Sequence, residues 1–87
     1  MKLVIQIPAW NEEENLPSAI RALPRQVDGF DSVEVLVVDD GSTDLTAQVA
    51  REAGADRVVT LPFHRGLATV FVTGLREALD MGADVTT

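Results

Sequence analysis

The sequence predicts an α/β fold: a parallel sheet in three layers, with helices on both faces. Three observations carry that expectation. Short β-branched runs alternate with helical apolar periodicities along the chain. The run Val35-Leu36-Val37-Val38 is continuously apolar, as strands covered on both faces are. Polar clusters follow the first two strands, where open parallel sheets carry their ligand crevice.

Each element has a local reason. Leu3-Val4-Ile5-Gln6-Ile7, bounded by Pro8, reads as the first strand. Leu16, Ile20 and Leu23 fall at helical spacing, with Asn15 as the expected cap, Pro17 in the first turn and Pro24 as terminator. Val33 to Val38 is the second strand. Ser42 or Thr43 is expected to cap the next helix, in which Leu45, Val49 and Ala53 recur every fourth residue before Gly54. Arg57 to Leu61 is the third strand and Pro62 to Arg65 a loop. From Gly66 a longer helix runs through Leu67, Phe71, Leu75, Ala78 and Leu79 to a stop at Gly82, with Val49, Phe71 and Leu75 assigned to the core. Asp84-Val85-Thr86-Thr87 opens a fourth strand. Right-handed crossovers then predict the strand order three-two-one-four. Residues 1–87 are expected to form a single domain, half of a longer enzyme. The strand edge left open invites association with a second copy.

Composition narrows the function. The chain has 87 residues, 46% hydrophobic and 24% charged, enough for one modest core. Seven Lys and Arg against fourteen Asp and Glu give a net charge of −7, and no basic stripe interrupts it. This argues against a nucleic-acid partner, which would be gripped through its phosphates. No apolar run approaches the roughly 20 residues of a membrane span. With no cysteine there is no disulfide, thiolate zinc site or Cys nucleophile, and the single His64 excludes a multi-histidine metal site. The lack of cysteine suits a reducing compartment.

Two polar clusters hold the chemistry. Pro8-Ala9-Trp10-Asn11-Glu12-Glu13-Glu14 follows the first strand, and Asp39-Asp40-Gly41-Ser42 follows the second. In such a crevice a nucleotide can stack on Trp10, while a carboxylate accepts hydrogen bonds from a base N–H or ribose hydroxyls. Taken singly, each cluster also reads as plain structure. Asn11 with the three glutamates makes an acidic helix start, Asp39 to Ser42 a capped turn, Trp10 a core aromatic, Arg65 a solvated charge and His64 a loop residue.

Together the clusters resemble a family. Ile5-Gln6-Ile7-Pro8-Ala9-Trp10-Asn11-Glu12-Glu13, followed by Val37-Val38-Asp39-Asp40-Gly41-Ser42-Thr43-Asp44, is similar to the amino-terminal half of family-2 glycosyltransferases, which have the Rossmann-like GT-A fold. Arg65-Gly66-Leu67-Ala68-Thr69 through Gly74-Leu75-Arg76-Glu77-Ala78 resembles the next helix in polyprenol-phosphate sugar transferases, a group that includes the dolichol-phosphate mannose synthases. The resemblance implies transfer of a sugar, with inversion, from a UDP- or GDP-linked donor to an acceptor such as a polyprenyl phosphate. It implies that Pro8, Trp10, Asn11 and Glu12 hold the nucleoside. It further implies that Val38 and Asp40 meet the base and ribose, that Asp39 supports the turn, and that Arg65 lies near the donor. It also implies a divalent metal, Mg or Mn, on an Asp-x-Asp after the fourth strand. That motif, the catalytic base and the acceptor surface fall beyond Thr87, so this chain is expected to bind nucleotide without catalysing transfer. The implied location is the cytoplasm, or the cytoplasmic face of a membrane for the full-length protein. Two positions depart from the family pattern: His64 where many relatives have Asn, and Val70 where a small Ala is common.

Two other classes fit less well. A phosphoacceptor receiver domain carries its acidic pair after the first strand and a further Asp after the third, where this chain has Leu61-Pro62-Phe63. A dinucleotide-binding module needs Gly-x-Gly-x-x-Gly after the first strand, and Pro8 to Glu13 contains no glycine.

Overall fold

A computed structural model describes residues 1–87. The chain runs β1 (Lys2–Ala9), α1 (Leu16–Ala22), β2 (Ser32–Asp39), α2 (Thr46–Glu52), β3 (Arg57–Thr60), α3 (Leu67–Asp80) and β4 (Val85–Thr86). The four strands form one sheet in the order β3-β2-β1-β4, and every pairing is parallel. This is the order that right-handed crossovers dictate.

The side chains of β2 alternate between two cores, which explains its continuous apolar run. Val35 and Val37 join Leu16 and Ile20 of α1 and Ala50 of α2. Leu36 and Val38 join Val70 and Ala78 of α3 on the opposite face. The layers are therefore α1 with α2, the sheet, and α3. Arg57, at the start of β3, pairs with Glu77 at 2.9 Å and Asp80 at 2.8 Å, tying the edge strand to α3.

Local details differ from the sequence expectations. Asn15 precedes α1 in a helical conformation and its side chain makes no capping bond. Neither Ser42 nor Thr43 caps α2, which begins later, at Thr46. Asp44 supplies the acceptor instead: its Oδ1 takes the Thr46 N–H at 2.9 Å and also the Thr46 hydroxyl. Leu23, before Pro24, has ψ of 142°, the extended geometry that proline imposes on its predecessor.

The larger correction lies on α3. Phe71 and Leu75, expected in the core, are 61% and 36% exposed, and Leu67 and Leu79 are exposed as well. The line that faces the sheet is Val70, Gly74 and Ala78. Helical periodicity places both lines on one broad apolar face, but only the line over β1 and β2 meets a strand. Val49 is half-buried.

Candidate nucleotide-binding site

The loops after β1, β2 and β3 converge at the carboxyl end of the sheet, and main-chain donors bind them together. Asn11 takes a left-handed conformation with φ of 51°, which asparagine tolerates better than most residues. Its N–H donates to Ser42 Oγ at 2.8 Å, while its Oδ1 accepts the Thr43 N–H at 2.9 Å. The Glu12 N–H donates to Thr46 Oγ1 at 2.9 Å, and the Glu13 N–H to Asp44 Oδ2 at 3.3 Å. Thr46 is fully buried, so its hydroxyl is the inner rivet of this joint.

The two aspartates have separate tasks. Asp39 Oδ1 accepts from the Ser42 N–H at 3.1 Å and from the Ser42 hydroxyl, which closes the turn after β2. Asp40 is 4% exposed and reaches the third loop. Its Oδ1 accepts the Arg65 N–H at 2.8 Å, its Oδ2 accepts the Gly66 N–H at 3.0 Å, and His64 Nδ1 lies 3.1 Å from Oδ2. A carboxylate offers about four acceptor directions, so this arrangement leaves Asp40 about one for a ligand.

Gly41 makes that approach possible. Its φ is 70°, and a Cβ there would lie 2.3 Å from the Phe63 carbonyl carbon and 2.4 Å from the His64 nitrogen. No side chain fits between these two backbones.

The loops enclose a cavity of about 320 Å³ lined by Pro8, Ala9, Trp10, Glu12, Asp40, His64, Leu67 and Val70. Pro8, Trp10, Glu12 and Asp40 are thus brought together from the set singled out in the sequence. Trp10 is 49% exposed and is no core aromatic. Its ring centroid lies 4.6 Å from that of His64, with the planes tilted by 49°. Val38 is buried and lines an adjoining, mostly apolar cavity of about 620 Å³ that shares Pro8, Leu67 and Val70 with the first. The smaller cavity is the candidate site because the polar groups gather there. Asn11, Asp39 and Arg65 do not line it. The first two brace the loops, and the Arg65 guanidinium sits 4.9 Å over the Phe63 ring.

One further residue belongs to the site, and another joins the loops that form it. His64 lines the cavity, and the only sequence signal for it is its place in the loop after β3. Thr46, outside the cavity wall, joins two of its loops, and nothing in its sequence neighbourhood announces a buried polar joint. No three His, Asp or Glu side chains come together here as a cation site, and no metal-assisted step is assigned to these residues.

Comparison with known proteins gives this geometry a family. The model of glycosyl transferase family 2 matches residues 4–80, and the chain belongs to that family. It is 32% identical over 81 residues to a dolichol-phosphate mannosyltransferase of Pyrococcus furiosus, covering 90% of this chain and 23% of that protein. It is 36% identical over 89 residues to an undecaprenyl-phosphate mannosyltransferase of Micrococcus luteus, covering 98% of this chain and 35% of that protein. Among solved structures, the glucosyl-3-phosphoglycerate synthase of M. tuberculosis superimposes with a TM-score of 0.70 at 33% identity, covering 87% of this chain and 30% of that one. The fold is therefore the Rossmann-like GT-A arrangement, and the chain spans about a quarter to a third of the length of these relatives. No helix is long and apolar enough to cross a membrane.

Proposed function

We propose that this chain is the donor-nucleotide-binding part of an inverting glycosyltransferase that uses a UDP- or GDP-linked sugar. The observation that carries the reading is the convergence of Trp10, Glu12 and Asp40, from two distant loops, on one cavity at the carboxyl end of the parallel sheet. An aromatic face and exposed carboxylate suit a nucleoside, which offers a π-surface together with N–H and hydroxyl donors. The proposed acceptor is a polyprenyl phosphate, the class named in two of the relatives. In the transfer, the anomeric carbon loses its bond to the donor phosphate oxygen, which keeps the electron pair. An acceptor phosphate oxygen forms the new bond from the opposite face. Such an acceptor is already anionic and needs no proton removed. The proposed location is the cytoplasm or the cytoplasmic face of a membrane.

These 87 residues bind nucleotide in this reading but do not turn over donor. Contacts to the nucleoside stabilise ground and transition states about equally and do not lower the barrier between them. Self-association through an open sheet edge is part of the same proposal, and sedimentation at two concentrations tests it.

Trp10 is the only tryptophan and the chain has no tyrosine, so intrinsic fluorescence reports on the cavity directly. Titration with UDP, GDP, UDP-glucose, GDP-mannose, NAD and acetyl phosphate, with and without Mn²⁺, tests the reading. Saturable quenching by a nucleoside diphosphate, little changed by Mn²⁺ and without donor hydrolysis, is expected. Response to acetyl phosphate or NAD alone would overturn it in favour of a receiver or dinucleotide module.

A further inference from the structure

We propose that His64 is a nucleotide-contacting residue, positioned by Asp40, that makes donor affinity depend on pH. The inference rests on the nucleotide reading of the cavity and assigns a ligand contact to a residue where the family pattern commonly has asparagine.

The argument begins with charge. The cavity wall carries the Glu12 and Asp40 carboxylates, within a chain of net charge −7. A nucleoside diphosphate sugar brings two more negative charges. Arg65 follows His64 in the chain, but its guanidinium is stacked on Phe63 and does not line the cavity. Among the lining residues only His64 can become positive.

Geometry gives the imidazole a fixed aim. Asp40 holds the loop through the Arg65 and Gly66 N–H groups, so the backbone on the carboxyl side of His64 is pinned. Gly41 packs against the His64 nitrogen from the other side. Nδ1 faces Asp40 Oδ2 at 3.1 Å, and one ring face meets Trp10. With Nδ1 turned to the carboxylate, Nε2 is the nitrogen left for a ligand, and the side chain remains 55% exposed to meet one. The imidazolium presents Nε2–H to an anionic or carbonyl oxygen. A neutral ring that keeps its proton on Nδ1 presents a bare lone pair that repels the same oxygen. The ionisable group in contact with this ring is Asp40 from the β2 loop; Glu12 from the β1 loop lines the same cavity, and Arg65 is its chain neighbour. An imidazolium here therefore favours the anionic donor over what a neutral ring can do, so binding tightens toward acid pH.

The test uses UDP-glucose and GDP-mannose, whose diphosphate diesters keep a constant charge across the pH range tested, in place of free diphosphates, which do not. Affinity is measured at intervals from pH 8 to pH 5 by Trp10 fluorescence and calorimetry. The chains compared are the unaltered protein, His64→Ala, His64→Asn and Glu12→Gln, each checked for fold by circular dichroism. The unaltered chain should bind about ten-fold more tightly at the acid end, the size of one charge-assisted hydrogen bond. His64→Ala and His64→Asn should lose that slope, with His64→Asn keeping more of the affinity through its amide donor. Glu12→Gln should retain the slope. A slope that survives in both histidine variants, or moves to Glu12→Gln, overturns the assignment to His64 while leaving the nucleotide site standing. Absence of binding by the unaltered chain at every pH overturns the nucleotide reading itself, and this inference with it.

Discussion

Asp40 holds Arg65 by its main chain and not by its charge: the Arg65 N–H donates to Asp40 Oδ1 at 2.8 Å, while the guanidinium lies on Phe63. The carboxylate is thus a latch for the third loop as well as a wall of the cavity. Replacement by Ala removes the partner of two main-chain N–H groups, each costing about 1–3 kcal/mol when left unpaired. Asp40→Ala should lower stability in urea by at least about 2 kcal/mol and weaken UDP or GDP binding about ten-fold or more. Asp40→Asn keeps one acceptor oxygen and should fall between. Unchanged affinity in a folded Asp40→Ala chain would assign the residue to the turn alone.

Gly41 is constrained twice, by its φ of 70° and by the backbone of Phe63 and His64 within 2.6 Å of any added Cβ. A side chain there must push the third loop off the second. Gly41→Ala should cost at least about 2 kcal/mol, or about 8 °C or more in Tm for a domain of this size. It should also separate Trp10 from His64, which a changed emission spectrum would reveal. A Tm within about 2 °C of the unaltered chain would contradict the close packing.

Gly74 should behave differently although the first contact is as short. A Cβ there meets Gln6 Oε1 at 2.0 Å, the far end of a flexible side chain. Gln6 can swing away at the cost of its Nε2 bond to Thr86 Oγ1, now 2.7 Å, worth about 1 kcal/mol. Alanine in place of a mid-helix glycine returns about the same amount. Gly74→Ala should therefore leave the urea midpoint nearly unchanged, whereas Gly74→Val, which adds bulk against Val38, should lower it clearly.

Thr46 joins two loops through one hydroxyl that accepts from the Glu12 N–H and donates to Asp44. Thr46→Val keeps the shape and removes both bonds, at about 1 kcal/mol for each. Thr46→Ser keeps the hydroxyl and should retain most of the stability and nucleotide affinity. Equal stability of the Val and Ser variants would show that the joint contributes little.

The Thr46 hydroxyl, followed by the Thr46 and Glu13 main-chain N–H groups, holds the Asp44 carboxyl below the ordinary value of 3.8. Asp31 is held low by its bond to the terminal amine. A carboxyl depressed in the folded state adds stability above its unfolded value, and that stability is lost as pH falls through the folded one. These two carboxyls should therefore make urea midpoints fall as pH drops below about 5. In Asp44→Asn the acid fall should be shallower. An identical fall in both chains would remove Asp44 from the account.

The alternation of strand and helix, the parallel order β3-β2-β1-β4 and the place of the crevice were all readable from the chain, because each follows from local periodicity and the handedness of crossovers. Pro8, Trp10, Glu12 and Asp40 were readable as a group because they close strands whose ends must lie side by side. What each carboxylate holds was not readable. The donors to Asp40 are main-chain N–H groups of residues 65 and 66, which every residue except proline carries, so no side-chain identity marks them. The start of α2 is not legible for a similar reason: Ser42, Thr43 and Asp44 all carry oxygens that suit a helix start, and only the structure shows that Asp44 accepts the Thr46 N–H and hydroxyl while Leu45 takes the cap position. Phe71 and Leu75 were misassigned because amphipathicity marks which face of α3 is apolar but not how much of that face has a strand beneath it. Pattern along the chain thus determined the elements and their order, whereas the pinning of His64 against Asp40 and Trp10 was decided only when Gly41 let two distant backbones come within van der Waals contact.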